Sequence, residues 1–201
     1  MSSIASTCWV LIPVKAPGEG KTRLAGVLDP RVRDQLVAAM LKRVVAAATE
    51  CPQIAKVCLV SSTDLGLAGD VTLIVDHGRG LNVELASALQ MIAVEAPERV
   101  IIAAADLPQV EPIDFAMLAD VPDHAIAIAP DRHGTGTNAL SLPLAALHDF
   151  SLQFGLHSHG AHRAEGVRLG YSVETILSSG LEKDIDDPQD LADATSCLQE
   201  A

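Results

Sequence analysis

Three cations fall within nine residues near the start of the chain, Lys15, Lys21 and Arg23, in a loop that also holds Gly18 and Gly20. Glycine-freed backbone amides with Lys and Arg side chains suit a polyphosphate, although a solvated basic turn has the same composition. The run is not a P-loop, because G-x-x-x-x-G-K-[ST] needs glycine where Lys15 stands, and Pro30 interrupts the helix that should follow. A dinucleotide fingerprint fails as well, since Arg23 occupies its third glycine position. Asp106 ends the apolar run 99–104, where it can either cap a helix or offer a carboxylate to Mg²⁺, a hard cation that prefers oxygen. Glu182, Asp184, Asp186, Asp187 and Asp190 put five acids into nine residues, an arrangement that calls for a cation. Asp184 and Asp186 alternate at strand spacing and point to one side. Asp187-Pro188 reads as a helix N-cap and first turn. Asp184 and Asp186 meeting Asp106 would make an oxygen-rich Mg²⁺ site. Small hydroxyl, amide and glycine residues at 131–140 and 154–162 suit an oxyanion held by neutral donors. His157, His159 and His162 lack the one-turn spacing of a zinc pair, and His162 is placed near the substrate.

These groups need a scaffold, and the sequence describes one. Cys8–Pro13, Lys56–Ser61, Val71–Val75, Arg99–Ala104 and His124–Ala129 read as strands buried on both faces. Between them, Arg31–Thr49 carries Leu36, Met40, Leu41, Val44, Val45 and Ala48 at helical spacing. Asn82–Ala96 does the same with Val83, Leu85, Ala86, Leu89 and Ile92 or Ala93. Strands alternating with such helices imply a mainly parallel sheet. Ala139–Leu142 and Tyr171–Ile176 look like added strands, read as antiparallel, and a last helix is expected near Asp187–Gln199. No repeat or linker interrupts the chain, so residues 1–201 read as a single α/β domain, Rossmann-like, with a mostly parallel but mixed central sheet flanked by helices.

The chain has 201 residues, 14 Lys and Arg against 26 Asp and Glu, and a formal net charge of −12. Such a length buries enough surface to fold without disulfide or metal staples. With only three Phe, one Trp and one Tyr, the core must be aliphatic. The acidic excess argues against a nucleic-acid partner or an anionic membrane surface. No apolar run approaches the length of a membrane span, no secretory signal is visible, and the cytoplasm is the expected compartment. Cys8, Cys51, Cys58 and Cys197 show no C-x-x-C spacing and read as buried thiols.

Six segments in order, PVK…GKTRL at 13–24, GLN at 80–82, ADLP at 105–108, APDR…GTNAL at 129–140, FGxxSxxxH at 154–162 and DIDxPxDL at 184–191, together resemble one family. It is the 2-phospholactate, phosphoenolpyruvate or 3-phosphoglycerate guanylyltransferase family of deazaflavin coenzyme F-420 biosynthesis. The resemblance implies a compact nucleotidyltransferase fold and transfer of GMP from GTP to a small phosphorylated carboxylic acid, with release of pyrophosphate. It implies Mg²⁺ held by Asp106, Asp184 and Asp186. Lys15, Lys21 and Arg23 would act along the triphosphate, with Lys15 shared with the acceptor. Gly80 and Asn82 would lie near guanine, although Asn82 could equally cap the helix it starts. Thr137, Gly155 and Ser158 would bind the acceptor, with Thr135 an alternative to Thr137 because the loop carries an extra Gly134-Thr135. A homodimer is common in that family. Competing readings are a cytidylyl- or molybdopterin-type nucleotidyltransferase, a P-loop kinase, and a non-catalytic nucleotide-binding module. The L-x-A-G-x-x-x-R loop usual in the first is missing at 12–15.

Overall fold

The aliphatic runs pair into one sheet. The computed structural model describes residues 7–15, 21–67, 69, 71–185 and 188–192. Its strands are β1 (Cys8–Pro13), β2 (Ile54–Ser61), β3 (Thr72–Val75), β4 (Arg99–Ala103), β5 (Ala125–Pro130), β6 (Thr137–Pro143) and β7 (Ser172–Thr175). They lie in the order β3-β2-β1-β4-β6-β5-β7. β6 alone among them runs antiparallel to its neighbours, β4 and β5. The sheet is therefore mixed and mainly parallel, as the alternation of elements implies.

Period-two alternation divides the core between the two faces. Val10, Ile12, Ile101 and Ala103 pack on one side with Val44 and Ala48 of helix α1 (Pro30–Glu50) and with Phe115 and Leu118 of α3 (Pro112–Ala119). Leu11, Val100, Ile102 and Leu140 pack on the other with Leu85, Leu89 and Ile92 of α2 (Leu81–Ala93). Asp29 caps α1 by accepting from the Arg31 amide at 2.9 Å, with Pro30 in the first turn. Helix α4 (Ser158–Arg168) lies on the α2 side, where Gly166 meets Ile126 of β5, and α5 (Ser179–Glu182) is a single turn.

Several expectations need correction. β3 is an edge strand with Leu73 and Val75 exposed, so the Val71–Val75 run is not buried on both faces. On α2 the residues Val83 and Ala86 face solvent, and the buried stripe is Glu84, Leu85, Ala88, Leu89 and Ile92. β7 pairs parallel with β5, not antiparallel. Of the expected last helix, 188–192 is helical; Asp187, 193–199 and Cys197 lie outside the described residues. Cys8, Cys51 and Cys58 are buried free thiols, and burial pushes Cys8 up to about 12. No helix among the described residues is long and apolar enough to cross a membrane.

Candidate active site

β1 has β2 on one side and β4 on the other, and the chain crosses from the first neighbour to the second by way of α2. Such a switch in strand order leaves a crevice beyond the carboxyl ends of the two central strands. Lys21 and Asp106 meet there in an ion pair, with only 9% and 23% of their side chains exposed. Lys21 stands in the left-handed region at φ 52° and opens the 3-10 turn Thr22–Gly26. Lys15, which follows β1, and Arg23, within the turn, are exposed. Asp106 thus meets a cation and does not serve merely as a helix cap; α3 is capped instead by Glu111, in a reciprocal box with Asp114.

Because β6 runs backwards, its first residues reach the same edge. Asn138 accepts from the Ala104 amide through its carbonyl at 2.8 Å. Its side-chain Nδ2 donates to the Leu181 carbonyl at 2.9 Å and reaches Asp184 Oδ1 at 3.4 Å. One buried amide therefore ties the end of β4, which leads to Asp106, to the acidic segment carrying Asp184. In the sequence Asn138 is simply one residue of the GTNAL run, with nothing local to set it apart. Asp186 lies outside the described residues, and among those described no three His, Cys, Asp or Glu side chains gather to hold a metal ion. Arg132 pairs with Asp190, so the acid-rich stretch meets its cation from the β5–β6 loop.

That loop also separates the two threonines. Asp131 accepts from the Thr135 amide at 2.8 Å and from its hydroxyl at 3.3 Å, which makes Thr135 an exposed part of the turn. Thr137 is buried at the start of β6, with Oγ1 3.0 Å from Nδ1 of His162. Ser158, one turn before His162 on α4, is 1% exposed. Gly155, at φ 130°, ends a segment held by side chains rather than by a strand. Ser151 N–H donates to Glu165 (2.9 Å), Gln153 N–H to His162 Nε2 (2.9 Å) and Phe154 N–H to Asn82 Oδ1 (2.7 Å).

Asn82 also donates from Nδ2 to the Phe154 carbonyl at 3.0 Å. Both ends of its amide thus hold the 154 backbone, and the helix cap that was the alternative reading of Asn82 belongs to Gly80, whose φ of 103° favours glycine. A second clasp shapes this loop: Arg79 donates Nε and Nη2 to the two oxygens of buried Glu84, each at 2.9 Å. Those bonds hold the Glu84 carboxyl down at about 2. The sequence signal for this clasp is an acid, Glu84, set within an apolar helical stripe.

A family model described as guanylyl transferase CofC-like matches residues 8–195. The chain belongs to that family. The phosphoenolpyruvate guanylyltransferase of Chloroflexus aurantiacus is 34% identical over 197 residues, covering 94% of this chain and 95% of the relative. The Streptomyces coelicolor protein of the same name is 33% identical over 196 residues, covering 92% and 89%. Among solved structures, a nucleotidyl transferase from Methanothermobacter superposes with a TM-score of 0.68 at 14% identity, covering 96% of this chain and 98% of that one. A CMP:2-keto-3-deoxy-manno-octonic acid synthetase complexed with CTP gives 0.65 at 15% identity, covering 96% and 98%. The fold is thus that of nucleotidyltransferases, and the chain is an enzyme of guanylyl transfer, as its six motifs imply.

Proposed function

We propose that this guanylyltransferase moves GMP from GTP to phosphoenolpyruvate in coenzyme F-420 biosynthesis, releasing pyrophosphate, as a cytoplasmic enzyme with no nucleic-acid partner. The observation that carries the reading is the Lys21–Asp106 pair at the β1–β4 switch, joined through Asn138 to Asp184. A cation and two separated carboxylates at that crevice suit a metal-bound triphosphate, and the named relatives point to the acceptor. An oxygen-only donor set fits Mg²⁺, which Asp106, Asp184 and Asp186 would hold. When bound, the ion would neutralise phosphate oxygens and favour departure of pyrophosphate.

The chain's own residues have a defined task. A phosphate monoester has its second pKa near 6, so the acceptor is already mostly dianionic at pH 7 and needs no general base. Its phosphate oxygen attacks the α-phosphorus of GTP; a new P–O bond forms as the α–β bridging bond breaks, and the pair of electrons leaves with pyrophosphate. The difficulty is bringing two anions together on a protein of charge −12. Lys15, Lys21 and Arg23 would lie along the triphosphate, with Lys15 shared with the acceptor. Thr137, Gly155 and Ser158 would receive the acceptor, and Gly80 and Asn82 would shape the base pocket, Asn82 through the Phe154 backbone.

Pyrophosphate release from GTP, with ATP and CTP as controls, would be measured against phosphoenolpyruvate, 2-phospholactate and 3-phosphoglycerate. Turnover is expected with GTP and phosphoenolpyruvate, and Asp106→Asn or Lys21→Met should lower kcat/KM by about a hundredfold or more. Release of GDP in place of pyrophosphate, or turnover with 2-phospholactate or 3-phosphoglycerate alone, would overturn the proposal.

A further inference from the structure

His162 is fully buried, and among the described residues it belongs to no group of side chains that could hold a metal ion. Its ring lies edge-on to Phe154, with centroids 4.7 Å apart, and tilted against Phe150 at 5.9 Å. Phenylalanine would serve for that packing alone. Both ring nitrogens are nevertheless engaged. Gln153 N–H points at Nε2 at 2.9 Å, so Nε2 must present a lone pair; a proton there would set two donors against each other. A neutral ring with a bare Nε2 carries its proton on Nδ1, and the Nδ1 partner is Thr137 Oγ1 at 3.0 Å. Since Oγ1 accepts that proton, the threonine's own hydroxyl proton is turned away from the ring and is available to another acceptor.

The second contact acts on a different part of the same region. Gln153 lies two residues before Gly155, in the segment that Glu165 and Asn82 also hold. Ser158 is one turn earlier on the helix of His162. One imidazole therefore touches Thr137 directly, fixes the approach to Gly155, and shares a helix with Ser158.

We infer that His162 is a positioning residue of the acceptor subsite, whose Nδ1–H orients the Thr137 hydroxyl to donate to an anionic oxygen of the acceptor while Nε2 fixes the backbone leading to Gly155. The inference rests on the reading of Thr137, Gly155 and Ser158 as the acceptor's residues. It goes beyond that reading in assigning the direction of a hydrogen bond and a role to a side chain that need not touch the ligand.

Two measurements on the full-length protein test it. ¹⁵N NMR of the histidine rings should show a buried imidazole protonated at Nδ1 and bare at Nε2; the opposite tautomer overturns the inference. Steady-state kinetics with GTP and phosphoenolpyruvate then compare the wild type with His162→Gln, His162→Asn, Thr137→Val and the His162→Gln/Thr137→Val pair. Glutamine reaches the Nε2 position but loses the donor to Thr137, whereas asparagine sets an amide N–H where Nδ1–H stood. His162→Gln and Thr137→Val should each raise KM for phosphoenolpyruvate about tenfold or more with KM for GTP within about twofold, as expected for a lost hydrogen bond to an anion. The double variant should be little worse than either single one, and His162→Asn, which restores the donor to Thr137 but not the acceptor for the Gln153 N–H, should recover part of the loss. Additive effects, or an equal rise in KM for GTP, overturn the positioning role while leaving the acceptor reading intact. A wild-type protein that releases no pyrophosphate with any acceptor overturns the acceptor reading and the positioning role together.

Discussion

Burial, aided by the nearby His159, pushes the His162 ring down from an ordinary value of 6.5 to about 4. The unfolded chain takes up this proton near pH 6.5, and the folded chain only near pH 4. Between those values the unfolded state binds more protons, so stability rises with pH there; the contribution is complete above pH 6.5 and is lost as pH falls towards 4. A difference of that size corresponds to about 3 kcal/mol. The buried carboxylates act in another window. Glu165, held down to about 2 by its bonds from Arg168, and Glu84, held there by Arg79, support the fold above their ordinary value near 4.5 and cease to do so as pH falls through 2. Urea unfolding at pH 7 and pH 5, above the carboxylate window, should therefore show the wild type losing much of that increment, and His162→Gln should show a much flatter response. An equal loss in both proteins would mean that another group titrates in this window.

The element that presents His162 is also the one least visible in the sequence. Helix α4 reads S-H-G-A-H-R-A-E-G-V-R, and the residues it buries are Ser158, His162, Glu165 and Gly166. A buried face made of a hydroxyl, an imidazole, a carboxylate and a glycine leaves no hydrophobic stripe, so periodicity cannot find it. β1, β4 and β5 were legible for the opposite reason: their Val, Ile, Leu and Ala side chains are buried on both faces. The edge strand β3 looks the same in sequence, because composition does not tell a central strand from an edge. Asp106 could be read as an acid ending an apolar run, whereas the link from Asn138 to Asp184 spans 46 positions and exists only once β6 is reversed beside β4. Gly166 shows what α4 depends on. A Cβ there would lie 2.4 Å from Ile126 Cδ1, 3.1 Å from its Cγ1 and 3.0 Å from Val173 Cγ2, so the fully buried Ile126 side chain would have to repack. Alanine favours a helix by up to about 1 kcal/mol over glycine, but overpacking costs about 1–3 kcal/mol. Gly166→Ala should thus be destabilised in urea, and by lifting α4 off the sheet it should raise KM for the acceptor more than KM for GTP. A more stable variant with unchanged kinetics would show that α4 moves freely on the sheet.

At the scale of the molecule, a net charge of −12 acts on folding and on nucleotide binding in ways that salt can separate. Self-repulsion weakens the compact state, and raising the ionic strength from 0.01 to 0.15 M shortens the screening length from about 30 to about 8 Å. Melting temperature should rise over that range without any ligand. On the proposed reading nucleotide binding asks for more than screening, because a polyanion would have to approach Asp106 and the segment that carries Asp184. Lys21 is paired with Asp106, so on that reading a second cation would relieve the carboxylates as Lys21 turns to phosphate. At 0.15 M salt, GTP with EDTA should leave the melting temperature unchanged, whereas GTP with Mg²⁺ at about a hundred times its Kd should add about 2.7 kcal/mol, or several degrees. Asp184→Asn should lose the Mg²⁺–GTP response and keep the response to NaCl, since removing one of 26 acids barely alters the overall field. A GTP shift that survives EDTA would mean that Lys15, Lys21 and Arg23 hold the triphosphate unaided, and that Asp184 serves the Asn138 link rather than a metal.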